Sequence, residues 1–271
     1  MNKVILITGA SAGIGAETAI RLQKEGNIVY GAARRLDKME DLKKYGVKVI
    51  KIDVSNEESM KKCVTQVFKE QGKIDILINN AGYGSYGAME DIAMSEAKKQ
   101  FDVNLFGLAR MTQLVLPSMR EKRSGTIINV SSIGGKVGSP HGSWYQASKF
   151  AVEGFSDSIR MELKQFGIKV VVIEPGAIKT EWSGIAQKHL LATSGNTAYG
   201  AFAKRHAASL DKYDNRGSHP RVVAKAISKA VNSHDPKTRY MIGSGATTMK
   251  FLKFILSDKM MDRMMLKFLG Y

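Results

Sequence analysis

The chain has 271 residues, 44% of them hydrophobic and 24% charged, and a single cysteine, Cys63. That composition is globular, leaves no second thiol for an intrachain disulfide, and holds too few thiols for a cysteine-based zinc site. Lys and Arg outnumber Asp and Glu by 41 to 25, giving +16, yet they are dispersed, without the aromatic-studded basic run of a nucleic-acid binder.

In chain order, Lys3–Gly9, Ile28–Arg34, Val47–Asp53 and Ile74–Gly82 read as buried strands, short β-branched runs closed by turn residues. The amphipathic stretches Gly13–Gly26, Leu36–Tyr45 and Asn56–Gly72 between them predict helices. The alternation continues through a long helix near Ser95–Met119, a strand at Gly125–Ser132, a helix at Trp144–Phe166 and a strand at Lys169–Gly176. Regular βα units of this kind predict an α/β fold: one doubly wound parallel sheet of about seven strands, with helices on both faces. No linker or repeat interrupts residues 1–271, so a single domain is expected. No apolar run approaches the 18 or so residues of a spanning helix, and the apolar run after Lys3 is too short for a signal peptide. A soluble, cytoplasmic, metal-independent protein is the expectation.

The rhythm breaks at residues 181–220, rich in Ala, Ser, Gly, His and Lys with weak helical periodicity. An insertion after a strand's C-terminal end lies where doubly wound sheets bind ligands, so this is the expected substrate-binding segment. A helix at Arg221–Ser233 and a strand at Arg239–Ile242 lead into a tail, residues 246–271. There Phe251, Leu252, Phe254, Ile255 and Leu256 share one broad helical face opposite Lys250 and Lys253. The register changes at Ser257, a plausible N-cap, after which Met260, Met261, Met264, Met265 and Phe268 form a second stripe. Two short amphipathic helices are predicted. They either pack on the sheet or a partner subunit, or form a deformable lid over an apolar substrate or a peripheral membrane contact.

Two constellations carry chemistry. The first is Thr8-Gly9-Ala10-Ser11-Ala12-Gly13-Ile14-Gly15, directly after the first strand and running into a helix. Glycines here permit a tight turn and bring backbone N–H groups to a phosphate at the helix N-terminus. No Gly-Lys-Ser/Thr follows, which excludes a Walker-type ATP loop. The second strand ends Ala33-Arg34-Arg35 without a carboxylate, so Arg34, with Arg35 as a second candidate, favours the 2′-phosphate of NADP(H). The second constellation is Ser132 with Tyr145 and Lys149, the latter pair four apart on a predicted helix and therefore on one face. A tyrosine works at neutral pH only when a nearby cation stabilises its phenolate, and Lys149 can supply that charge.

Together with Asp53-Val54, Asn79-Asn80-Ala81-Gly82, Asn104 and Pro175-Gly176-Ala177-Ile178-Lys179-Thr180, all in order, these motifs resemble the short-chain dehydrogenase/reductase family over nearly the whole chain. The resemblance implies a Rossmann-like NAD(P)-binding domain and a catalytic tetrad of Asn104, Ser132, Tyr145 and Lys149. In that tetrad Tyr145 exchanges a proton with the carbonyl oxygen, Ser132 holds that oxygen, and Lys149 binds the nicotinamide ribose. Asn104 keeps a water that links Lys149 to solvent. It further implies that Gly9, Ser11, Ala12, Gly13, Ile14 and Gly15 cradle the pyrophosphate and that Asp53 and Val54 contact adenine. Asn80, Ala81 and Gly82 would line the adenosine ribose, and Pro175, Gly176, Ile178 and Thr180 the nicotinamide end. Asn79 is expected to brace the central strands instead.

The ending Tyr240-Met241-Ile242-Gly243-Ser244-Gly245 lacks the Asp-Gly-Gly turn of many carrier-bound acyl reductases. With the long 181–220 segment, it looks like the branch acting on hydroxysteroids, retinoids and acyl-dihydroxyacetone phosphates. The expected activity is NADP(H)-dependent interconversion of a carbonyl and an alcohol on an apolar substrate. The alternatives are a 3-oxoacyl-carrier-protein reductase and a non-catalytic NADP(H) sensor. Family precedent also implies a homodimer or homotetramer built on helices 95–119 and 144–166.

Overall fold

The computed structural model describes residues 2–271; Met1 and the side chains of residues 211–215, inside the expected substrate segment, lie outside the described residues. Seven parallel strands form one sheet: β1 (Val4–Thr8), β2 (Ile28–Ala33), β3 (Lys48–Lys51), β4 (Ile76–Asn79), β5 (Gly125–Val130), β6 (Ile168–Pro175) and β7 (Arg239–Ile242). Their order is β3-β2-β1-β4-β5-β6-β7, so the winding reverses between β1 and β4. Alternate side chains divide the strands between two cores. Val4 and Leu6 face α3 (Glu57–Gln71), α5 (Leu108–Glu121) and α6 (Ser143–Lys164), while Ile5 and Ile7 face α1 (Gly13–Lys24) and α9 (Arg221–Asn232). Burial on both faces is why the strands read as continuous apolar runs. Each such core side chain contributes about 1.5–3 kcal/mol.

Three expected segments differ from the sequence reading. Leu36–Tyr45 is a 3-10 turn (Asp37–Met39) followed by the single-turn helix α2 (Glu40–Lys43). The long helix near Ser95–Met119 is α4 (Met94–Phe101), a π-helical segment over Asp102–Gly107, and α5. The widened turn carries Asn104 into the interior, and Gly107 lies so close to the Val54 carbonyl that a Cβ would stand 2.3 Å from its oxygen. The 181–220 segment is more regular than its periodicity suggested. It forms α7 (Glu181–Ser194), N-capped by the Thr180 hydroxyl, and α8 (Gly200–Asn215), which pack on each other. Their apolar positions face a cavity from two directions, which weakens a single-face period.

The tail forms α10 (Ala246–Ile255) and α11 (Asp258–Phe268), with the Ser257 hydroxyl accepting from the Met260 N–H. The break at Ser257 is as the pattern predicts, but two faces are rotated. Leu252 and Leu256 turn partly inward while Phe251, Phe254 and Ile255 are exposed, and Met260 is exposed off the Met261 stripe. No helix among the described residues is long and apolar enough to cross a membrane.

Candidate active site

The C-terminal ends of β1, β2, β4, β5 and β6 open into one cavity of about 780 Å³. A crevice at the reversal of strand order is where doubly wound sheets bind ligands. The loop after β1 gives it one end. Gly9 has φ +70, and a Cβ there would stand 2.8 Å from the Ala81 Cα, so the β1 and β4 loops approach as only glycine allows. The N-cap of α1, Ala12, offers no side-chain cap, leaving first-turn N–H groups for an anionic ligand. These features fit a dinucleotide pyrophosphate.

The expected residues divide into those that line the cavity and those that brace it. Gly9, Ser11, Ala12, Gly13, Ile14, Arg34, Arg35, Asp53, Val54, Asn80, Ala81, Gly82, Ser132, Tyr145, Lys149, Pro175, Gly176, Ile178 and Thr180 line it. Gly15 and Asn104 stand behind the wall. A Cβ on Gly15 would meet the Gly9 carbonyl oxygen at 2.3 Å, so this glycine lets α1 approach its own loop. Asn80 donates from Nδ2 to the Thr8 and Gly9 carbonyls at 3.1 Å each, bracing the glycine turn while also facing the cavity. Asn79 donates to Thr112 Oγ1 at 3.1 Å and Asn129 Oδ1 at 3.0 Å, tying β4 to α5 and β5.

Arg34 and Arg35 follow β2 on the cavity rim. Arg35 is engaged: its Nη2 donates to Ser11 Oγ and to Glu181 Oε2, both at 3.2 Å, linking the glycine loop to α7. Arg34 is exposed and has no ion pair among the described residues. Asp53 accepts from the Ser55 N–H and hydroxyl at 3.0 and 2.6 Å, a turn that holds its carboxylate at the rim.

At the centre, β5 delivers Ser132 and α6 delivers Tyr145 and Lys149, one turn apart. Ser132 Oγ accepts from the Gly134 N–H at 3.0 Å, which fixes its position after the strand. Lys149 Nζ donates to the Val130 carbonyl at 2.9 Å and lies 6.0 Å from the Tyr145 ring centre. Both side chains are buried. Burial pushes the Tyr145 phenol up to about 12, against its hydrogen bond with Ser132. Burial pulls the Lys149 ammonium down to about 8, against the attraction of Glu153 one turn further along α6. At neutral pH Tyr145 therefore holds its proton and Lys149 is mostly charged. The amide of Asn104 is fully used: Oδ1 accepts from the Tyr83 N–H, and Nδ2 donates to the Tyr83 carbonyl and Ser148 Oγ, all at 3.0 Å. It joins the π-helical turn to the β4 loop and to α6 between Tyr145 and Lys149.

The other end of the cavity is side chains that the motifs did not identify. Tyr86 packs against Tyr145 with ring centres 5.9 Å apart and against Trp182 at 5.5 Å, while Trp182 stands 5.2 Å from Tyr145. His206 on α8 lines the wall, and its Nδ1 lies 2.9 Å from Nδ1 of His141 in the loop before Tyr145. Beyond these rings come Leu210, Met249, Met265, Phe268 and Leu269, so both tail helices reach the cavity. The available signal was weak: alternating glycines around Tyr83 and Tyr86, and the methionine stripe.

A glycine cradle at the switch point of a parallel sheet, beside Ser132 and the buried pair Tyr145 and Lys149, defines a dinucleotide-dependent oxidoreductase. The short chain dehydrogenase family model matches residues 3–190. The chain is 41% identical over 241 residues to a 3-ketodihydrosphingosine reductase of Bacteroides thetaiotaomicron, covering 89% of this chain and 88% of that protein. It is 33% identical over 269 residues to retinol dehydrogenase 8 of Bos taurus, covering 93% and 85%. A solved short-chain dehydrogenase from Streptomyces avermitilis aligns with a TM-score of 0.81 at 31% identity, covering 98% of this chain and 96% of that one. This chain belongs to the short-chain dehydrogenase/reductase family. It is an enzyme of that family, acting on C=O or CH–OH groups with a nicotinamide cofactor.

Proposed function

We propose that the protein is an NADPH-dependent reductase of carbonyl groups carried on long apolar, lipid-like molecules. The observation that carries the reading is a single cavity running from Arg34 past Tyr145 to a wall of Leu210, Met249, Met265 and Phe268. Arg34 can give a 2′-phosphate charge-assisted hydrogen bonds, and Ala33 beside it offers no carboxylate to repel one. Gly9 through Ile14 would hold the pyrophosphate, Asp53 and Val54 the adenine, and Pro175 to Thr180 the nicotinamide end.

The nicotinamide supplies the hydride. Tyr145, protonated at neutral pH, gives its proton to the carbonyl oxygen while Ser132 Oγ donates a hydrogen bond to the same oxygen. Lys149 would hold the ribose hydroxyls of the cofactor, and its charge would stabilise the phenolate left on Tyr145. Asn104 is a positioning residue, setting the Tyr83 loop against α6. Flexible methionines suit an extended apolar chain, and the relatives named for ketodihydrosphingosine and retinol support that substrate class.

The test is cofactor oxidation by the purified protein with a 3-keto sphingoid base, retinal, and short soluble ketones, each with NADPH and with NADH. NADPH should exceed NADH by about tenfold or more in kcat/KM, as expected for a charge-assisted phosphate contact, with long-chain carbonyls favoured over short ones. Equal use of NADH, or no preference for long-chain substrates, overturns the corresponding half of the proposal.

A further inference from the structure

The two C-terminal helices carry their apolar and basic residues on unusual sides. α10 turns Ala246, Met249 and Leu252 inward, and Met249 reaches the cavity. Its other face is also apolar, with Phe251 61%, Phe254 87% and Ile255 53% exposed. An amphipathic helix on a globular protein presents polar residues on that side. Phe251, Phe254 and Ile255 lie within five consecutive residues of this one helix, so their exposed side chains sit side by side. Such clustering marks an interaction surface.

The neighbouring α11 supplies charge. Lys259, Arg263 and Lys267 recur every four residues along its exposed side, away from Met261, Met264 and Met265. None of the three has an ion pair among the described residues. Residues 246–271 hold five basic side chains against two acidic ones, and one of those, Asp258, is tied to Lys253 at 2.6 Å.

We propose that α10 and α11 seat the protein on an anionic lipid surface, and that lipid-borne substrate enters the cavity there. α10 has ten residues, about 15 Å long, which suits lying in the headgroup region and not crossing it. The uncompensated basic stripe, on a chain of net +16, opposes a second copy on the same face and matches anionic headgroups. The same two helices form part of the cavity wall, since Met249, Met265, Phe268 and Leu269 line it. A long apolar carbonyl compound could then reach Tyr145 without passing through water. The entry step rests on the proposed substrate class; the docking step does not.

The test uses the full-length protein with sedimenting vesicles of phosphatidylcholine, alone or mixed with phosphatidylglycerol. Partitioning onto the anionic vesicles should be about tenfold stronger than onto neutral ones and should fall steeply with salt. F254E/I255E and K259E/R263E/K267E should each reduce it by about tenfold, while turnover of a short soluble ketone and thermal melting stay unchanged. Phe254→Trp should be quenched by brominated acyl chains. Vesicle binding that ignores both multiple substitutions, absence of binding, or a dimer that F254E/I255E dissociates without any vesicle partitioning would overturn the proposal. Vesicle binding without reduction of any carbonyl compound would instead overturn the proposed function and leave the docking surface standing.

Discussion

The end of the cavity proposed for the cofactor is built largely from backbone and the end proposed for the substrate from side chains, and this difference governs what each end can tolerate. At the first, Gly9, Gly13, Ala81 and Gly82 are fixed by the ends of β1 and β4, with Asn80 and Thr8 knitting the loops together. Neighbouring parallel strands hold the two loops side by side. At the second, Tyr86, Trp182, His206, Leu210, Met249 and Met265 come from a loop and four helices, and are held by ring contacts and apolar packing. A rigid mould suits an invariant dinucleotide; a wall of rings and thioethers can accommodate substrates of different shape.

The largest expected effect lies where the ends meet. Tyr145→Phe removes one oxygen from a buried ring and should lower kcat by roughly 10²–10⁴, while NADPH affinity, read by fluorescence titration, changes little. A Phe variant with substantial carbonyl reduction would dissolve the junction. The next effect separates the two materials. Gly15→Ala sets a Cβ 2.3 Å from the Gly9 carbonyl oxygen and 2.6 Å from Asn80 Nδ2, both fixed. It should cost about 1–3 kcal/mol of stability and weaken cofactor binding. Met265→Leu, a volume-conserving change in the adaptable wall, should leave melting nearly unchanged and alter chain-length preference. Equal destabilisation by both would remove the contrast. A smaller change is expected at the rim: Arg34→Asp should shift preference from NADPH toward NADH by about tenfold. Arg35→Asp should shift it less, because Arg35 is already bonded to Ser11 and Glu181.

The same contrast explains what the sequence revealed. Gly9, Arg34, Ser132, Tyr145 and Lys149 are legible because each sits at a strand end or on one helix face, where local spacing determines position, whereas Asp53 is legible only through the family resemblance. Asn104 was legible as a position but not as a geometry: the π-helical turn that buries it leaves no periodic mark. Trp182 and Tyr86 were not legible, since nothing local to residue 86 indicates a ring from residue 182 at 5.5 Å. The regularity of α7 and α8 was masked because their apolar residues serve both the cavity and each other. The tail pattern predicted two helices and their break at Ser257, but amphipathicity alone did not determine which of α10's two apolar faces turns inward.

The smallest expected effect concerns the tie between the two ends. His206 on α8 and His141 before Tyr145 share one hydrogen bond at 2.9 Å between their Nδ1 atoms, so one ring donates and the other accepts. His141 is further pinned by φ +62 and by its carbonyl, which accepts from the Gly87 N–H at 2.9 Å. Protonating the acceptor leaves two N–H groups facing each other. Burial, and then the neighbouring His141, pull His206 down to about 4; burial also lowers His141, with Asp91 pulling weakly the other way. Because the folded value lies below the ordinary histidine value of about 6.5, the unfolded chain takes up the proton first. Stability is therefore complete above pH 6.5 and declines as pH falls toward 4. By pH 5.5, above the range where most carboxylates titrate, the loss for His206 should be about 1 kcal/mol. His206→Asn retains an amide donor toward His141 but cannot titrate, so its melting temperature should fall less than that of the native protein between pH 7.5 and 5.5. If both proteins lose the same amount over that window, the histidine pair does not tie the substrate cap to the catalytic loop in the way its geometry indicates.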